Sequence, residues 1–301
     1  MVSEPRSLAA ILELEQLDDL YFRSRETTGT PTRTFGGEVA GQAVMAAGRT
    51  VAADRPIHSA HAHFLLPGDS SERVIYRVDP VRDGGSYTTR RVEAIQRGRV
   101  LFHLTASFHG GDATDMAYQS QPLRVPLATE TPTPEQAFAD DEEMLTWAAW
   151  LRDLQPMEFR FPTPPTRALV RAGTPAPAQQ SVWLRATGPL GDDPLVHAAA
   201  ITYSSDLLLL STGLGPHAKA FTDGDLQFAT LDHTLWFHDQ VRADEWFLHD
   251  MEGLWNGHGR SLCKGAMFDA AGRMFGTTMQ EGVLRPRSRR VGRQDALAGD
   301  R

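Results

Sequence analysis

The chain is poor in cysteine: Cys263 is the only one among 301 residues. An intrachain disulfide is therefore excluded, and a single thiol fits a reducing environment better than an oxidising one. The first residues, MVSEPRSLAAILELEQLDDLYF, form an acidic amphipathic stretch that has neither the basic region nor the apolar core of a secretory signal. We therefore expect a cytoplasmic protein.

The sequence also lacks a long hydrophobic run that is free of charge. The most apolar stretch, 195–214, carries Asp206 near its middle, together with His197 and the polar run TYSS. These groups favour a buried helix over a membrane span. The net charge of −8, without a basic stripe interleaved with aromatic residues, argues against a nucleic-acid partner.

The sequence gives no support to a serine nucleophile, a cysteine nucleophile or a metal site. The chain has no Gly-x-Ser-x-Gly elbow, and a catalytic role for Cys263 is disfavoured. In the stretch HSAHAH, only His61 and His63 would share a strand face, and no acidic or cysteine ligand accompanies them. We therefore expect no metal and no cofactor. His233 and His238 are interpreted as structural, with the alternative that Asp232 and His233, next to Thr230 in the sequence, support the residues of a functional site.

The sequence contains an internal repeat. Hydrophobic residues make up 41% and charged residues 23% of the chain, as in a globular protein. The segment 84–108 aligns with 257–282 at an offset near 174, and the segment 58–69 aligns with 231–241 at a similar offset. Each copy reads as a short strand, a helix rich in small apolar residues, and three or four strands. A helix that is apolar on nearly all faces must be wrapped, here by a curved antiparallel sheet.

These patterns predict four segments. We expect an N-terminal repeat over 8–112 with a helix at 36–51, and a C-terminal repeat over 179–286 with a helix across 198–210. A proline-rich linker, 113–178, carries an acidic helix near 134–152, and a basic tail over 287–301 is expected to be disordered.

Seven segments together resemble the acyl-CoA thioesterase II family, in order from about residue 8 to 286. They are FGGEVAGQAVMAA, HFLLPGD, RDGGSYTTRRVEAIQRGR, TASF, YSSDL, ATLDHTLWFH and MQEGVLR. The resemblance implies an α+β double hotdog fold and hydrolysis of medium- or long-chain fatty acyl-CoA to free acid and CoA. It further implies a homodimer or homotetramer. An acyl-CoA-binding sensor and an acyltransferase on the same fold remain alternatives.

The resemblance also implies the catalytic residues. Its water-activating aspartate, threonine and glutamine fall on Asp206, Thr230 and Gln280, with no covalent nucleophile. The chemistry is reasonable for these residue types: a carboxylate accepts a proton, while a hydroxyl and an amide orient the water. The first copy has Ala106 in place of Gln280 and Ile57 roughly in place of Thr230, so one active site per chain is expected.

Three further expectations concern strand faces, phosphate binding and the donors for the oxyanion. Strict alternation along 230–238 places Thr230 on one face with Asp232 and Thr234, away from His233. The phosphates of CoA require a local basic patch on an acidic protein. The candidates are Arg90 and Arg91 in the first copy and Arg285 after the last strand. The donors for the oxyanion are expected to be backbone N–H groups.

Overall fold

A computed structural model describes residues 7–25, 29–30, 33–111, 116–221 and 223–287 of the chain. Within these residues the strands are β1 (Leu14–Asp18), β2 (Tyr21–Ser24), β3 (Gly29–Thr30), β4 (Arg33–Thr34), β5 (Ile57–Phe64), β6 (Ile75–Asp83), β7 (Tyr87–Gln96), β8 (Arg99–His109), β9 (Met157–Arg160), β10 (Gln179–Ala186), β11 (Leu226–Phe237), β12 (Phe247–Gly257), β13 (Arg260–Asp269) and β14 (Met274–Pro286). The helices are α1 (Leu8–Leu12), α2 (Gly36–Gly48), α3 (Pro134–Ala137), α4 (Glu142–Leu154), α5 (Thr166–Val170) and α6 (Pro194–Ser205), followed by a 3₁₀ helix at Leu210–His217.

Twelve strands form one antiparallel sheet that runs through both halves of the chain. Their order is β1-β2-β6-β7-β8-β5-β11-β14-β13-β12-β10-β9, and β3 pairs only with β4. The order of the second half mirrors that of the first about the junction between β5 and β11. The internal repeat is therefore present in the topology, and the predicted α+β double hotdog fold is confirmed.

The two long central helices pack against each other where their residues are small. A Cβ atom at Gly41 of α2 would lie 2.9 Å from the carbonyl oxygen of Ala199 in α6, so this glycine allows the two backbones to approach closely. Around them, large side chains of the sheet are fully buried, including Tyr76 and Phe102 in the first half and Phe247 and Phe275 in the second. The helices thus lie inside the curved sheet, as the apolar sequence requires.

The segment between the repeats contributes a strand to the sheet as well as helices. The acidic stretch forms two helices, α3 and α4, rather than one, and β9 pairs with β10 at the edge of the sheet. Nearly all of the basic tail lies outside the described residues. Among those described, no helix is long and apolar enough to cross a membrane.

Candidate active site

Asp206 lies at the C-terminal cap of α6 rather than inside the helix. Asp193 caps the start of the helix, with Pro194 at its first position, and the helix ends at Ser205. The predicted helix across 198–210 is therefore too long at its C-terminal end. Ser204 and Ser205 explain the early end, because their hydroxyls donate to backbone carbonyls three residues upstream and compete with the helical pattern.

A β-bulge turns Thr230 toward the interior. Thr230 pairs with Gly282 and Asp232 pairs with Glu281, so one residue between them is left without a partner in the ladder. The bulge shifts the alternation by one residue, and Thr230 therefore lies on the same face as the buried His233. The expectation that Thr230 shares a face with Asp232 and not with His233 was wrong, because strict alternation holds only for an unbroken strand.

The structure brings Asp206, Thr230 and Gln280 together in one hydrogen-bonded cluster. The Nε2 atom of Gln280 donates to Oδ1 of Asp206 at 2.5 Å and to Oγ1 of Thr230 at 2.8 Å. Thr230 in turn donates its hydroxyl to Oδ1 of Asp206 at 3.3 Å. Gln280 is fully buried, whereas Asp206 and Thr230 are half-buried. The amide of the cluster is therefore shielded from solvent, whereas the carboxylate and the hydroxyl belong to partly exposed residues.

Two acceptor atoms of this cluster are not used by the described part of the chain. They are Oε1 of Gln280, which is buried, and Oδ2 of Asp206. A water molecule has two protons to donate, and buried acceptors in proteins are normally satisfied by protein or water. Both atoms are therefore available to accept hydrogen bonds from a water molecule.

The first turn of α2 lies beside the free carboxylate oxygen. A Cβ atom at Gly36 would lie 2.8 Å from Oδ2 of Asp206, so a glycine is needed for this close approach. Phe35, the N-cap residue, provides no side-chain hydrogen bond to the helix. The first backbone N–H groups of a helix have no partner within the helix and mark its positive end. This end can stabilise negative charge that develops on a carbonyl oxygen.

The corresponding place in the first half is apolar. Ala60 pairs with Ala106 there, where His233 pairs with Gln280 in the second half. A β-bulge also follows Ile57, as one follows Thr230. The half therefore has the same backbone register but none of the three polar residues, which agrees with one cluster per chain.

The three candidate arginines occupy different environments. Arg90 is 5% exposed, and its guanidinium donates to Thr50, to backbone oxygens and to Asp83. Arg91 is exposed and paired with Asp79. Both lie on β7, four strand spacings, or about 19 Å, from the strand of Gln280. Arg285 lies on that strand itself, is exposed, and donates to Gln227.

Other chemistries find little support in the described residues. The described residues include no group of three histidine, cysteine or carboxylate side chains arranged to hold a metal ion. Cys263 is buried, and burial raises the pKa of its thiol, which disfavours the reactive thiolate. Two contacts could not be predicted from the sequence, because both depend on long-range packing. They are the approach of Gly36 to Asp206 and a hydrogen bond of 2.7 Å between Oγ of Ser205 and Nε2 of His233.

Comparison with known proteins gives a consistent identification. Residues 150–283 match the family profile described as Acyl-CoA thioesterase, and residues 25–109 match the one described as Acyl-CoA thioesterase N-terminal domain. The chain is 33% identical to Acyl-CoA thioesterase 2 of Haemophilus influenzae, over 93% of this chain and 97% of that protein. It is also 33% identical to Acyl-coenzyme A thioesterase 8 of Mus musculus, over 92% and 88%.

A solved structure supports the same identification. The acyl-CoA thioesterase II TesB2 of Mycobacterium marinum superposes with a TM-score of 0.75 at 36% identity, covering 94% of this chain and 99% of that one. With matching family profiles, full-length relatives and a shared fold, the chain belongs to the acyl-CoA thioesterase II family and is a hydrolase of acyl-CoA thioesters.

Proposed function

We propose that the protein hydrolyses medium- and long-chain fatty acyl-CoA by direct attack of a water held between Asp206 and Gln280. The observation that carries the proposal is the pair of unused acceptors, Oδ2 of the half-buried Asp206 and Oε1 of the buried Gln280. Each acceptor takes one proton of the water, which directs an oxygen lone pair away from them and toward the substrate. Thr230 fixes the other carboxylate oxygen.

The reaction then balances without a covalent intermediate. The water oxygen bonds to the thioester carbonyl carbon as one water proton passes to Asp206. The carbonyl oxygen becomes an oxyanion, and we assign its stabilisation to the first-turn N–H groups of α2, because this helix end lies beside Asp206. When the carbonyl re-forms, the carbon–sulfur bond breaks and the proton on Asp206 goes to the leaving sulfur. The products are the free acid and the thiol of CoA.

Apolar side chains next to the cluster favour an alkyl acyl group. The ring of Phe64 lies beside Gly36, where a Cβ atom would be 3.1 Å from its Cε1 atom. On the other side, Leu210 fills the space over Gly282, where a Cβ atom would lie 2.2 Å from its Cδ2 atom. An acyl chain that packs against such groups gains free energy with each methylene that leaves water, about 0.8 kcal/mol per CH₂. Longer chains are therefore expected to bind more tightly until the available space is filled.

A panel of acyl-CoA substrates tests the proposal. Thiol release is measured with acetyl-, hexanoyl-, lauroyl- and palmitoyl-CoA, and kcat/KM is expected to rise from acetyl to lauroyl or palmitoyl. Cys263 is buried, so the native protein contributes little thiol to the signal. Binding of palmitoyl-CoA without thiol release would contradict the hydrolase and support the acyl-CoA sensor. Release that needs a second acceptor would instead support the acyltransferase.

Arg285 is the better candidate for contact with the phosphates of CoA, because Arg90 is buried and already bonded within the protein. Arg285→Ala is expected to raise KM for lauroyl-CoA about fivefold with little change in kcat, as an exposed charge contact contributes up to about 1 kcal/mol. Arg90→Ala should instead leave KM within about twofold and lower the free energy of unfolding by about 2 kcal/mol, since it removes buried charged hydrogen bonds.

Steady-state kinetics and chemical denaturation of both variants separate these two effects. A rise of KM in Arg90→Ala, with no effect of Arg285→Ala, would reverse the assignment. The outward-facing Arg91 provides a matched exposed control, because its charge is already paired with Asp79 far from the cluster.

The cytoplasmic location and the homodimer or homotetramer stay predictions. The single buried thiol of Cys263 is consistent with a reducing compartment.

A further inference from the structure

His233 is a buried histidine next to the proposed catalytic residues that the mechanism above does not use. It is 2% exposed, and it pairs across the sheet with Gln280. Its Nε2 atom lies 2.7 Å from Oγ of Ser205, the last residue of α6 and the immediate neighbour of Asp206. The contact therefore connects the strand that carries Thr230 to the helix end that carries the carboxylate.

The direction of this hydrogen bond follows from the geometry of Ser205. A serine hydroxyl has one proton, and that of Ser205 is donated to the carbonyl oxygen of Thr202 at 2.8 Å. The same oxygen must therefore accept from His233, so Nε2 carries a proton. Burial lowers the pKa of His233 even though Asp206 and Asp232 act in the opposite direction, which favours the neutral ring. The lowered pKa favours a neutral ring, and the hydrogen bond of Ser205 to Thr202 favours the proton on Nε2.

The contact is independent of the atoms that take part in the proposed chemistry. Side-chain hydrogen bonds of Asp206 to Thr230 and Gln280 also join α6 to the sheet. Those bonds must adjust when the carboxylate binds water and accepts a proton, whereas the bond from His233 to Ser205 need not change. We propose that His233 is a positioning residue. It holds the C-terminal end of α6 against β11, so that Asp206 keeps its position relative to Thr230 and Gln280.

This inference rests on the proposed function, since it concerns the placement of the proposed general base. It also gives a specific chemical requirement: a neutral N–H donor at the position of Nε2, and an acceptor at Ser205. A displacement of about 1 Å in a catalytic group can cost about 10²-fold in rate. Loss of the donor is therefore expected to act on kcat, with little effect on substrate binding.

The test compares two substitutions at one position. His233→Leu removes the donor, and kcat for lauroyl-CoA is expected to fall about 10- to 100-fold with KM within about threefold. His233→Gln retains an N–H donor at a similar reach from the backbone, and it is expected to recover most of the lost kcat. Ser205→Ala removes the acceptor instead and should lower kcat to a similar extent as His233→Leu. If His233→Leu does not fold, Ser205→Ala and His233→Gln carry the test.

His197 provides the matched control. It is also buried and lies on α6, the helix of Ser205, but near its N-terminal end, where it contacts the backbone of Gly191 and Ala243. His197→Leu is expected to lower the midpoint of thermal unfolding without lowering kcat. A role of His233 in stability alone would make His233→Leu behave in the same way, with an unchanged kcat, and this result would overturn the inference.

Asp206→Asn, assayed in parallel, separates the two proposals. If Asp206→Asn loses activity while His233→Leu and Ser205→Ala keep their kcat, the positioning role is wrong and the proposed function stands. If Asp206→Asn keeps the activity of the wild type, the proposed function itself has failed, and the inference fails with it. Equal losses in His233→Leu and His233→Gln would also contradict it, because the donor would then not be the feature that matters.

Discussion

Asp206→Asn is expected to lower kcat for lauroyl-CoA by about 10²- to 10³-fold while KM stays within about threefold. The amide cannot accept the proton of the attacking water. When its oxygen keeps the hydrogen bonds from Thr230 and Gln280, its nitrogen replaces Oδ2, the proposed acceptor of that proton. The substrate contacts are otherwise intact, so the loss falls on the chemical step. Initial rates of thiol release over a range of lauroyl-CoA concentrations give kcat and KM separately.

Asp232→Asn is the appropriate control for this prediction. Asp232 is a carboxylate on β11, the strand that carries Thr230. It lies beyond the bulge on the other face of that strand, where it accepts a hydrogen bond from the backbone N–H of Glu281. Its substitution should leave kcat within about threefold of the wild type. A variant Asp206→Asn that keeps more than about half of the wild-type kcat would show that another group activates the water.

The identities of the clustered residues could be predicted from the sequence, but not their local geometry. Asp206, Thr230 and Gln280 were assigned by resemblance, and the structure does bring them within hydrogen-bonding distance. The predicted face of Thr230 was wrong, because a bulge has no clear signature in the sequence of a single strand. Its position depends on how that strand pairs with β14, which is a long-range property.

The internal repeat carried more structural information than its few identities suggested. The alignment of Ala106 with Gln280 and of Ile57 with Thr230 corresponds to matching positions in the strand ladders of the two halves. By contrast, the sequence made Arg90 a candidate for contact with the phosphates of CoA, which needs an accessible guanidinium, and the side chain is buried. Of Arg90 and Arg91, only Arg91 faces outward, since successive side chains of a strand point to opposite faces.

The helix contacts were also beyond sequence analysis, although the glycines that permit them were visible. FGGEVAG reads as a helix start with several small residues, but which backbone each glycine faces depends on the packing of the two halves. The structure shows Gly36 against the carboxylate of Asp206 and Gly37 against the backbone of α6. Two neighbouring glycines therefore serve different contacts, one with a proposed catalytic group and one between the helices.

Gly37→Ala is expected to lower both the stability and the activity of the protein. A Cβ atom at this position would lie 2.2 Å from the backbone carbonyl oxygen of Tyr203 and 2.5 Å from the ring of Phe35. In an open helix the same change would stabilise by up to about 1 kcal/mol. Here a backbone atom is in the way and cannot rotate aside, so α2 and α6 must separate, and overpacking of this kind costs about 1–3 kcal/mol.

We expect the cost of the clash to exceed the gain in helix propensity, because that gain offsets only part of it. We expect a net decrease of about 1–2 kcal/mol in the free energy of unfolding, measured by chemical denaturation. The movement also separates the first turn of α2 from Asp206, so kcat should fall at least tenfold. Gly85→Ala is the matched control, since a Cβ atom at Gly85 would meet nothing within 4 Å. A Gly37→Ala protein as stable and as active as Gly85→Ala would contradict both the helix contact and the part it plays in aligning the two halves of the site.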